Sequence, residues 1–75
     1  MVRYEAGKAI RFASKAEGAA KAGRIGLAIR FFDIAQVAKK CALADAEDAG
    51  FDDSCLVEVA CQRVKQAYRR IIQEA

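Results

Sequence analysis

No proline occurs anywhere in the chain, and alanine recurs along it at three- and four-residue steps. Proline removes a backbone donor and clashes with the preceding helical turn, whereas alanine loses least of all residues on entering a helix. The chain is therefore pressed toward long, uninterrupted helices. No run of alternating Val, Ile, Thr or Tyr offers the two-residue period of a strand. The punctuation that remains is glycine, and Gly23 and Gly50 stand where helices would end and reverse.

The longest unbroken stretch, Gly23 to Ala49, carries Leu27, Phe31, Ile34, Ala35, Ala38, Cys41 and Ala42 on one helical arc. Arg30, Asp33, Gln36 and Lys40 lie opposite. Ala28 and Phe32 widen the arc, so this helix is expected to touch two neighbours and to act as the middle element. Before it, Val2, Ala6, Ala9, Ala13, Ala16 and Ala20 form a stripe of small side chains that lets another backbone approach closely. Ile10 and Phe12 flank the stripe on opposite sides, and Lys8, Arg11 and Lys15 make a basic ridge outside it. Gly7 and Gly18 each weaken this first helix by up to about 1 kcal/mol relative to alanine, so it should lean on tertiary packing.

Gly23, after Lys21 and Ala22, reads as a left-handed helix cap, and the short connection that follows makes the first two helices antiparallel neighbours. Gly26 would then admit the first helix closely. The third helix is expected to open at FDDS, with Asp52 as N-cap and Phe51 stapled onto Leu56. Its apolar stripe is Val57, Ala60, Cys61, Val64, Ala67, Tyr68 and Ile71, with Val59 pointing outward. These periodicities predict helices over 3–22, 25–48 and 53–73, with Phe31, Ile34, Ala38, Val64 and Ile71 in a common core. The fold class expected is all-α, an up-down-up three-helix bundle forming a single domain over residues 1–75.

The net charge of +3 hides a segregation along the chain. Basic side chains dominate residues 1–40 and 63–75, whereas residues 41–62 contain only acids among their charged groups. In the expected topology Lys21, Arg24, Arg69 and Arg70 gather at one end and Asp45, Glu47, Asp48, Asp52 and Asp53 at the other, making a dipole instead of a uniformly basic binder. Acids at the end of the second helix oppose its macrodipole by a few tenths of a kcal/mol each, roughly, which suggests either a solvated last turn or an acidic contact surface. No apolar stretch approaches the roughly 18 residues of a membrane span, and charges interrupt any signal-like core near Met1. A cytoplasmic location is expected.

Catalysis finds little support. There is no histidine, no serine or cysteine beside a visible activator, and no glycine-rich phosphate loop. Cys41, Cys55 and Cys61 lack a C-x-x-C spacing, so neither zinc nor any other cofactor is expected, and Cys41 and Cys61 read as small buried thiols. DAEDAG, from Asp45 to Gly50, begins like a calcium loop but has Ala49 at its fifth position and Leu56 at its twelfth, where a bidentate glutamate belongs. The chain reads as a non-enzyme.

Residues 8–40, KAIRFASKAEGAAKAGRIGLAIRFFDIAQVAKK, resemble the first two helices of MIT (microtubule interacting and transport) domains and, more loosely, tetratricopeptide hairpins. Ala9, Ile10, Ala13, Ala16, Ala20, Gly23, Ala28, Phe32 and Ala35 carry the resemblance. It implies a three-helix bundle that binds short helical or extended peptide motifs in grooves beside its third helix. That helix departs from the family, with QAYRRIIQ in place of a basic-aromatic-acidic signature, so peptide specificity is not carried over.

The function expected is that of a small protein–protein interaction module, binding a partner protein, a helical peptide or a second copy of itself. Its expected surface is a groove between the first and third helices. The edges would come from Ile10, Phe12, Val57, Tyr68 and Ile72, and a basic rim from Lys8, Arg11, Lys15 and Lys65. Two rivals remain: an accessory or inhibitory protein docking on a larger enzyme, and a DNA-binding regulator of helix-turn-helix type. The basic run RVKQAYRR suits DNA, but Asp52, Asp53 and Glu58 at the start of the same helix would repel phosphates.

Overall fold

The computed structural model describes residues 2–48 and 54–75, and among them the chain forms three helices and no strand: α1 (Val2–Lys21), α2 (Ile25–Asp48) and α3 (Ser54–Glu74). The middle helix begins and ends where the sequence placed it, and the others differ from expectation by one residue at each end. The expected caps and staple at Gly50, Phe51 and Asp52 lie outside the described residues.

The turn between α1 and α2 is held by the backbone of the capping glycine. Gly23 has φ 79°, a left-handed conformation that costs glycine nothing and an L side chain roughly 1–2 kcal/mol. The Arg24 N–H donates to the Ala19 carbonyl at 2.9 Å, and the Gly23 N–H to the Ala20 carbonyl at 3.0 Å. This paired closure satisfies two orphan carbonyls at the end of α1. Arg24 also accepts the first bond of α2, from the Ala28 N–H at 2.9 Å.

The topology is up-down-up, with α3 parallel to α1: Ser14 lies beside Arg63, and Glu17, further along α1, lies beside Gln66, Arg69 and Arg70, further along α3. Phe12 meets Phe31 across α1 and α2, Phe32 meets Tyr68 across α2 and α3, and Arg63 donates to the Ser14 hydroxyl across α3 and α1. The bundle is a rod of 40 × 15 × 13 Å, close to the length of α2 itself at about 1.5 Å per residue.

The core is built of alanine. Among the described residues every buried apolar side chain is alanine except Val57, Val64 and Ile71, and no large side chain is fully enclosed. Ile10, Phe12, Ile25, Phe31, Phe32, Leu43, Leu56 and Cys61 are only half-buried around it. The alanine stripe of α1 lets both other helices approach, so α1, not α2, is the helix that packs extensively on both sides, while the α2–α3 seam is the sparsest.

That geometry corrects several expectations. Ala38, Val64 and Ile71 are buried and Phe31 is half-buried, but Ile34 is 39 % exposed and Leu27 36 %. Cys41 is exposed too, and Cys61 is half-buried. The buried line of α2 runs through Ala28, Ala35, Ala38, Ala42 and Ala46, which displaces Leu27, Ile34 and Cys41 to its flank. Small side chains must face a small-residue stripe if the backbones are to close up, so size decides which apolar residues go inside. Gly26 makes no close approach either: a Cβ built there meets nothing within 4 Å.

Candidate functional site

The residues expected to line one groove are distributed over several surfaces. Val57 is 5 % exposed and belongs to the core, so it cannot form a groove edge. Phe12 turns away from α3 and stacks at 5.9 Å, tilted by 46°, on Phe31 of α2. Lys15 Nζ lies 4.8 Å from the centre of the Phe12 ring and 5.8 Å from that of Phe31, so this ammonium rests on an aromatic pair, a contact worth roughly 0.5–1 kcal/mol at an exposed site. Lys8 lies on the same side of α1, beside Glu5 and facing Asp33, Ile34, Val37 and Ala38 of α2. Arg11 is exposed on the outer face.

Ile10 lies on the other side of α1, at helical spacing from Ser14 and Glu17. This side does face α3, yet the seam is polar. Arg63 donates to Ser14, and Glu17 shares a shallow depression of about 560 Å³ with Gln66, Arg69, Arg70, Ile72 and Gln73 of α3. Glu17 Oε1 and Arg63 Nε are buried without a hydrogen-bond partner, which marks the seam as imperfectly paired. Ile72 stands at its edge and is exposed.

Tyr68 and Lys65 belong to a different groove, between α2 and α3. Its walls are Phe32, Gln36 and Lys39, spaced for one face of α2, and Cys61, Val64, Lys65 and Tyr68, spaced for one face of α3. The space measures about 280 Å³. Phe32 and Tyr68 lie 5.7 Å apart at 37°, and these rings hold the two helices apart where alanines would have let them close. The floor is aromatic and aliphatic, and the charged rim is Lys39 and Lys65, with no acid in the wall among the described residues. A groove of this composition suits an apolar side chain flanked by carboxylates.

Phe32, Gln36 and Lys39 were absent from the expected site. Their i, i+4, i+7 spacing was legible, but with α2 assigned to the centre of the bundle that face had no reason to stay open. Among the described residues no group of three or more His, Cys, Asp or Glu side chains could hold a metal ion, and no helix is long and apolar enough to cross a membrane. No family model, curated protein or solved structure matches the chain.

Proposed function

We propose that this chain is a small, non-enzymatic protein-interaction module whose α2–α3 groove takes an acidic amphipathic helical segment of a partner protein. The observation that carries the reading is the composition of that groove: an aromatic pair at its floor, open to solvent, with lysines and, among the described residues, no carboxylate at its rim. Tyr68 is 53 % exposed, and a half-exposed tyrosine beside an apolar floor is the kind of anchor that dominates interface energies. The lysines would favour an acidic partner chiefly by speeding encounter, so binding should weaken as salt rises. The MIT resemblance points the same way, since it implies peptide binding beside the third helix. The groove favoured here is bounded by α2, in place of the α1–α3 groove first expected.

The test uses a synthetic amphipathic helix with leucine at i, i+3 and i+7 and glutamate on its remaining face, titrated against the chain by fluorescence anisotropy. Tyr68→Ala should weaken binding by about tenfold or more without loss of helical signal, and Lys65→Glu should weaken it more at low salt than at high salt. A peptide that binds the Tyr68→Ala variant as well as the parent would overturn the reading. Duplex DNA shifted in a gel under the same conditions, with the peptide inert, would favour the DNA-binding rival.

A further inference from the structure

On the outer face of α2, away from the α2–α3 groove, the displaced apolar residues form an unpartnered heptad seam. Leu27, Ile34 and Cys41 occupy one set of positions seven residues apart, and Arg30, Val37 and Ala44 the set three residues further on. All six are exposed, Val37 by 62 %. Such a row is what a helix presents to a second helix; among the described residues Glu5 and Lys8 of α1 border it beside Ile34 and Val37 but leave its outer side, where Val37 stands, uncovered.

We propose that a second copy of the chain covers this seam, with the two α2 helices antiparallel about a two-fold axis between Ile34 and Val37. The charges decide both occupant and direction. Parallel pairing would set Arg30 against the same arginine of the second copy, burying like charges together. Antiparallel pairing opposes residues whose numbers sum to the same value, so Ile34 meets the second copy's Val37, Leu27 meets its Ala44, and Arg30 meets its Cys41. Every residue of one heptad set then faces one of the other. The same register brings two exposed residues of one flank, Asp33 and Lys40, beside each other across the axis. Two-fold symmetry makes that pairing twice: Asp33 of each copy meets Lys40 of the other. A self-complementary patch of this kind is what an isologous dimer requires. The seam lies apart from the Phe32–Tyr68 groove, so either proposal can fail alone.

Sedimentation equilibrium on the full 75-residue chain tests the pairing. The parent should run at twice its 8.2 kDa mass as concentration rises. Val37→Glu should raise the dissociation constant by about tenfold or more with helical content unchanged. Asp33→Lys and Lys40→Asp should each weaken the dimer by roughly three- to tenfold, because each converts both attractive contacts into repulsive ones. The double variant Asp33→Lys/Lys40→Asp should recover it, since the pairs are then restored with signs exchanged. A parent that stays monomeric at high micromolar concentration would overturn the proposal. So would a dimer indifferent to Val37→Glu, or single charge reversals that the double variant fails to rescue. Tyr68→Ala should leave the dimer untouched.

Discussion

Ile34 and Ala35 are adjacent in the chain and have different fates: the isoleucine keeps 39 % of its surface exposed at the flank and the alanine is completely buried. Hydrophobicity alone would send the larger side chain inward. The two substitutions that separate size from hydrophobicity have unequal expected costs. Ile34→Ala should change the stability of the diluted chain by less than about 1 kcal/mol, whereas Ala35→Leu should cost roughly 1–3 kcal/mol through overpacking; urea midpoints at low protein concentration measure both. The reversed order would restore Ile34 to the core. This is where the sequence was least legible. A helical wheel centres the buried arc on its bulkiest apolar residues, while the alanine stripe of α1 demands small partners and rotates α2 until Leu27, Ile34 and Cys41 reach the edge. The same wheel puts the Cys41 thiol inside, and it emerges exposed for the same reason.

The helices themselves were more legible than their faces. Absence of proline, alanine spacing and Gly23 together place α1, the turn and α2 within a residue, because each signal acts locally on the backbone and needs no knowledge of the neighbours. Glycines in this chain are not equivalent, and alanine substitution distinguishes them. Gly23→Ala should destabilise by about 1 kcal/mol, since it forces an L side chain into the left-handed cap. Gly18→Ala, where a Cβ meets nothing within 4 Å, should stabilise by up to about 1 kcal/mol through helix propensity. Thermal melts of the two variants should therefore move in opposite directions. Equal shifts would remove the special status of the turn. The site was only partly legible on these terms: Tyr68 and Lys65 do face one groove, but the wall opposite them belongs to α2, because which pair of helices stays apart depends on Phe32 and Tyr68 meeting in space.

Seen as one body, the bundle is organised about α1, whose small residues draw in a helix on either side and leave α2 and α3 propped apart by their aromatic rings. The topology separates Lys21, Arg24, Arg69 and Arg70 at one end from Asp45 and Glu47 at the other; Asp52 and Asp53, expected beside those acids, lie outside the described residues. A core of methyl groups has a thermodynamic consequence as well. Melting it exposes little apolar surface per residue, and apolar exposure is what raises the heat capacity on unfolding. Calorimetry on the diluted chain should give a heat-capacity increment below the usual value of about 12–15 cal/mol/K per residue. A smaller increment flattens the dependence of stability on temperature, so the enthalpy of unfolding should change little between cold and warm conditions.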